Sequence, residues 1–137
     1  MMQKAIPVAI LAILLTNGCS HQAPVEDVNK AAAQFFLRLK GAEYDVIYKD
    51  AADKLREAKS QAEMQHDLEQ LAAWGRPQQW TRISLSFKDQ DKSRLAEPNY
   101  MVQTDKMTVN VTFTFVDDNG EWKVMGFTGT PHGFGSH

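Results

Sequence analysis

The stretch 107-MTVNVTFTFVDDNGEWKVMGFT-128 decides the fold. Met107, Val109, Val111, Phe113 and Phe115 alternate with Thr108, Asn110, Thr112 and Thr114. A period of two predicts a strand with one face packed and the other facing water. Asp117-Asp118-Asn119-Gly120 supplies residues that accept positive φ in a tight hairpin turn, and Glu121 to Thr128 returns from it as a second strand. Upstream, Thr81, Ile83, Leu85 and Phe87 alternate with Arg82, Ser84 and Ser86, which predicts a strand with its odd positions inward. The polar run 88-KDQDKSR-94 reads as a turn or loop, and a weaker strand with Tyr100, Val102 and Thr104 follows Pro98.

From Pro24 to Pro77 the period is helical. Val25, Val28, Ala32, Phe35, Phe36 and Leu39 recur at spacings of three and four, with Glu26 and Asp27 in the first turn and Arg38 and Lys40 in the last. Gly41 stands where a C-terminal cap belongs. One or two short helices follow, with Tyr44, Ile47, Tyr48 and Leu55 inward. Ser60 with Glu63 three residues on forms a capping box, Met64, Leu68 and Leu71 make a stripe, and Trp74-Gly75-Arg76-Pro77 ends that helix. Helices followed by an antiparallel meander predict an α+β domain, with the N-terminal helices packed on one face of a curved sheet. Phe35, Phe36, Leu39, Leu68, Val111, Phe113 and Trp122 are the expected core.

The chain has 137 residues, enough for one domain, with 43% hydrophobic and 23% charged residues and a formal charge of −2. That balance excludes the broad basic face that nucleic acid requires. A single cysteine excludes an internal disulfide and any cysteine-rich zinc site. Its place is informative. Ala5 to Leu15 runs eleven residues without a charge, about 16 Å as a helix against a hydrocarbon core of roughly 30 Å. Too short to span, the run fits the apolar region of a signal peptide.

Thr16-Asn17-Gly18-Cys19 closes that leader and resembles the lipobox of bacterial lipoproteins. The aliphatic place three before the cysteine holds Thr16, with Leu15 one further back. The resemblance implies cleavage after residue 18 and fatty acyl chains such as palmitate on Cys19. Two or more chains anchor stably where one holds only marginally. Ser20 follows the cysteine where inner-membrane retention signals have Asp, so the resemblance implies the outer membrane, facing the periplasm. Inner-membrane anchoring and simple secretion to the periplasm are the alternatives. The expected organisation is a signal peptide over 1–18, a lipidated tether over 19–24, the domain over 25–128 and a flexible tail over 129–137. Without residues 1–18 the chain carries 14 basic and 17 acidic side chains, a charge of −3.

The element order and the final strand DNGEWKVMGF also look like the nuclear-transport-factor-two-like or cystatin-like α+β cone. More narrowly, they look like a family of small uncharacterised bacterial exported domains ending in a dGxWxVxGY/F strand. Enzymes of the cone fold place Asp, Tyr or His inside a cavity for proton abstraction, so Tyr44, Asp45 and Tyr48 are the residues to weigh for acid–base work. As packing residues, Tyr44 and Tyr48 are core aromatics whose hydroxyls reach the edge, with Asp45 and Asp50 on the wet face. Trp74 and Trp80 bracket the Gly75-Arg76-Pro77 turn, either packed together as a corner or exposed as a recognition spot. Trp122 reads as core. His66 faces solvent, and His21, His132 and His137 have nothing to hold them in a metal geometry.

No G-x-S-x-G, phosphate-cradling glycine loop or H-E-x-x-H occurs. The reading is a membrane-anchored binding module with no cofactor, no metal and no catalytic group. Its candidate contact residues are Trp74, Trp80, Tyr44, Tyr48 and the wet-face Thr112, and an envelope protein is its possible partner. The alternatives are a cone-fold enzyme using an interior Asp/Tyr pair and an inhibitor-like lipoprotein presenting its sheet. A lined apolar cavity with a convergent carboxylate favours the enzyme, and a filled interior favours the contact protein.

Overall fold

The computed structural model describes residues 23–132. The leader, Cys19, Ser20, His21 and the tail from residue 133, with His137, lie outside the described residues. Four helices precede a four-stranded sheet: α1 (Ala23–Lys40), α2 (Tyr44–Lys49), α3 (Asp53–Ala58), α4 (Gln61–Ala72), then β1 (Pro77–Gln90), β2 (Ser93–Thr104), β3 (Thr108–Asp118) and β4 (Glu121–Pro131). The strands are antiparallel in the order β1-β2-β3-β4, an open meander with the helices packed on it. The α+β class expected from the two hydrophobic periods is the observed one.

The first helix begins before residue 25 and the last strand ends after residue 128. Pro24 falls in the first turn of α1, where a missing N–H costs nothing, so the helix begins at Ala23. At the other end β4 continues through Gly129 and Pro131, which pair with Val111 and Val109. Gly129 permits this by leaving room for Leu71 and Trp74: a Cβ there would lie 2.6 Å from Leu71 Cδ1.

Helix α1 buries Val28, Ala32, Phe35, Phe36 and Leu39, the stripe read from its spacing. Its stop differs in one detail. The Glu43 N–H donates to the Arg38 carbonyl at 2.9 Å and the Ala42 N–H to Leu39 at 3.1 Å, the paired bonds of a Schellman motif. The left-handed residue is Ala42, with φ 57, and Gly41 sits one place too early to fill that role. On α4 the capping box is complete: the Ser60 hydroxyl accepts from the Glu63 N–H and the Glu63 carboxylate accepts from the Ser60 N–H. Those bonds hold the Glu63 carboxyl below the usual carboxylate range.

In the sheet, β1 departs most from expectation. A bulge between Arg82 and Ser84 shifts its register on β2 and inserts one extra residue. Trp80 and Arg82 therefore pair beside Val102 and Tyr100 on the helix side, and after the bulge Leu85 and Phe87 take that side. Thr81 and Ile83, expected inward, are exposed, Ile83 by 52%. Strand β2 starts well before the expected place, because the turn from β1 needs only Asp91 and Lys92, with φ 52 and 66. Pro98 is then internal to β2. The β2–β3 register passes from Ala96–Phe115 to Asn99–Thr112 without pairing Pro98, which has no N–H to offer. The β3–β4 turn is as read, with Asn119 at φ 56 and Gly120 at φ 91.

Phe35, Phe36, Tyr100 and Phe115 surround Phe113, with ring centroids 4.9 to 6.0 Å from it. Met64 and Leu68 from α4 complete a core without a buried charged side chain among the described residues. Trp122 is the one misplaced core residue. It is half-buried near the β3–β4 turn, tilted against Phe87 at 5.8 Å, and lines a small cleft at the rim of the helix–sheet interface with Phe35, Arg38 and Ile47.

Candidate functional site

Helix α2 carries the residues weighed for acid–base chemistry, and the structure gives each a position. The Tyr48 hydroxyl donates toward the Lys59 carbonyl at 2.8 Å and lies 3.2 Å from the Arg56 carbonyl, so it closes the C-terminal end of α3. Tyr44 is half-buried against the core. Asp45 is exposed, and Asp50, also exposed, pairs with Arg38 at 2.6 Å. These residues share a helix but converge on no common interior point. Between helices and sheet, the space bounded by Phe36, Leu39, Leu71, Val102 and Val111 amounts to about 10 Å³, which is less than a substrate needs.

Trp74 and Trp80 do not form a corner together. Trp80 lies on Phe36, with centroids 5.0 Å apart, while Trp74 packs over Gly129 on the opposite edge strand. Each keeps part of its ring exposed. The Gly75 turn between them is clamped to the β2–β3 connection. The Arg76 N–H donates to Asp105 Oδ1 at 2.7 Å, and the Thr104 hydroxyl lies 2.8 Å from the Trp74 carbonyl.

Thr108, Asn110, Thr112 and Thr114 form a row on the face of β3 away from the helices, with Thr112 the most open. The Thr112 hydroxyl donates to Asn99 Oδ1 at 3.4 Å, and the Asn110 amide nitrogen lies 3.3 Å from His132 Nδ1. Asn99, Asn110, Thr112, Thr128 and Thr130 are cross-strand neighbours there, a polar row with Met101 paired beside Asn110. His66 is exposed, and among the described residues no cluster of His, Cys, Asp or Glu is placed to hold a metal ion.

Two features escaped the sequence reading. The first is a polar junction beneath α1. Tyr100, only 2% exposed, donates its hydroxyl to Asn29 Oδ1 at 2.8 Å, and Arg82 donates to the same oxygen at 3.1 Å. Burial pushes the Tyr100 phenol up to about 12. The group is a fixed donor at neutral pH, not a base. Stability linked to it is fully present below pH 10, where the unfolded tyrosine is protonated, and is lost as pH rises toward 12. Melting temperatures followed from pH 9 to 12 should fall more steeply for the natural chain than for Tyr100→Phe. Parallel curves would contradict the linkage.

The second feature is a cleft of about 200 Å³ where the start of α3 meets both hairpins. Leu95, Val116 and Met125 line it, and Asp53, Asp91, Asp117, Asp118 and Lys54 surround it. Most of these carboxylates are already engaged. Asp53 pairs with Arg56, Asp117 accepts from the Gly120 N–H at 2.7 Å, and Asp118 lies 3.4 Å from Lys123. Distant residues meet here only through the hairpins, and no local motif announces them.

No protein-family model matches the chain, and the comparison with curated proteins gives no match. The class defined by the fold is a small α+β domain, helices over an open four-stranded antiparallel sheet. No described helix is long and apolar enough to cross a membrane.

Proposed function

We propose that this chain is a lipid-anchored periplasmic protein, held at the outer membrane through Cys19, and that its domain acts by contact with another envelope component and not by turnover. The anchor rests on the apolar run Ala5–Leu15 closed by Gly18-Cys19, and the outer-membrane destination on Ser20. The contact role is supported by the close packing at the centre of the helix–sheet interface, where the space among Phe36, Leu39, Leu71, Val102 and Val111 is about 10 Å³, and by the exposure of Asp45. A general base must reach its proton within about 3 Å, in a site from which bulk water is displaced. Here Tyr48 is committed to the end of α3 and Asp45 is open to solvent.

The contact surface in this reading is the uncovered sheet face around Thr112, with the exposed parts of Trp74 and Trp80 at its margins. A tether confines the domain to the membrane surface and raises the effective concentration of neighbouring envelope proteins, with little benefit for a small diffusing substrate. Complementation of a deletion strain separates this reading from the cone-fold enzyme. Asp45→Asn should behave as the natural chain, while Thr112→Arg, folded by circular dichroism, should fail. Loss of a general base costs about 10²- to 10⁴-fold in rate, so a null Asp45→Asn beside a silent Thr112→Arg would establish the enzyme.

A further inference from the structure

The direction of α1 says which end of the domain meets the bilayer. Leu39 adjoins Pro77 and Val102, Phe36 lies on Trp80, and Asn29 bonds to Arg82. Numbers fall along α1 as they rise along β1, so the helix runs antiparallel to that strand. Its first residues point to the end where both hairpins turn, at Asp91-Lys92 and at Asn119-Gly120. Three residues, Ser20 to Gln22, separate Cys19 from Ala23. Four extended steps of chain reach about 14 Å, while β3, at 11 residues, is roughly 35 Å long.

We infer that the hairpin end is the membrane-facing surface of the domain, and that its partner is the lipid headgroup layer. This rests on attachment at Cys19. The chemistry of that end fits a headgroup layer. Phe87 and Trp122 stand against each other 5.8 Å apart, half-buried, and the Arg94 guanidinium lies 4.7 Å over the Phe87 ring. A tryptophan, with an apolar ring and a polar N–H, settles at the membrane–water interface, and Phe87 adds apolar surface beside Trp122. Charge does not drive the approach. Lys88, Lys92, Arg94 and Lys123 face Asp89, Asp91, Asp117, Asp118 and Glu121 around the two turns, so anionic lipid has no net positive patch to bind. The tether sets the orientation, and the opposite end, with Gly75 and the Thr104–Met107 connection, is presented to the periplasm.

The test uses the chain from Cys19 onward, coupled through its only thiol to a maleimide lipid in phosphatidylcholine nanodiscs that also carry a gadolinium-chelate headgroup. Amide signals of Lys92 and Gly120 should lose several-fold more intensity than those of Asp105 and Lys106. Equal broadening at the two ends, or the reverse order, overturns the assignment. Replacing part of the phosphatidylcholine with phosphatidylglycerol should leave the pattern unchanged, and a pattern that appears only with the anionic lipid also overturns it. Because the coupling is chemical, the outcome is independent of whether the cell acylates Cys19, which the mass of the membrane-derived protein decides separately.

Discussion

Phe113→Ala should lower the unfolding free energy by about 3 to 5 kcal/mol, the usual cost of emptying a buried phenylalanine site. Phe113 has no exposed surface and is the centre of the aromatic cluster: Phe35 and Phe115 lie 4.9 Å from it, Phe36 5.5 Å and Tyr100 6.0 Å. The rings belong to α1, β2 and β3, so the vacated space cannot close by moving one element. For a domain of this size the loss takes a large part of the total stability and lowers Tm by more than about 10 °C. Urea unfolding monitored by circular dichroism measures it. A change below about 1 kcal/mol would contradict the assignment of helix and strand stripes to one shared core.

Gly75→Ala should cost at least about 2 kcal/mol, through backbone and packing together. Gly75 has φ +116, a conformation L residues rarely adopt. An added Cβ would also lie 2.7 Å from Asp105 Oδ1 and against the Thr104 hydroxyl. That hydroxyl is fixed at the junction, accepting from the Lys106 and Met107 N–H groups at 3.0 and 2.9 Å. It cannot move aside without breaking the β2–β3 connection. Gly120→Ala is the informative comparison. Its φ is +91, but nothing lies within 4 Å of the added carbon, so it isolates the backbone part and should cost clearly less. Equal losses at both glycines would mean that the Thr104–Asp105 clamp contributes nothing.

These two positions also mark what could be read in advance. Phe113 falls on the cleanest alternation in the chain, and the cap role of Gly75 follows from Pro77 two residues on. The Asn119-Gly120 turn and the Ser60–Glu63 capping box are equally local, each specified by residues within four positions of one another. Where legibility failed, two parts of the chain decided the outcome together. The bulge at Arg82–Ser84 reverses which residues of β1 face the helices, and only its pairing with β2 reveals the extra residue. Asp91-Lys92 turns tightly without glycine because both flanking strands are held by their pairing. Trp122 has the right parity for the core, yet it sits at the rim of the helix–sheet interface, in a cleft beside Arg38 and Lys123.

The same division applies to the candidate site. The wet row at Thr112 follows from a two-residue period. The Asn29–Arg82–Tyr100 junction joins positions 53 and 71 residues apart, and the cleft beside Leu95 is assembled from α3 and both hairpins. Trp74 and Trp80 are near in sequence, but β1 carries them to separate partners, Gly129 and Phe36.

Attachment at Cys19 is the claim on which the proposed role depends, and intact-mass measurement of the protein extracted from membranes tests it most directly. The expected species is a chain beginning at Cys19, heavier than its residues by the mass of a diacylglyceryl group, or of that group plus a third acyl chain. The corresponding Cys19→Ser protein should leave the membrane fraction. A chain that retains residues 1–18, or a free unmodified thiol at residue 19, would contradict it.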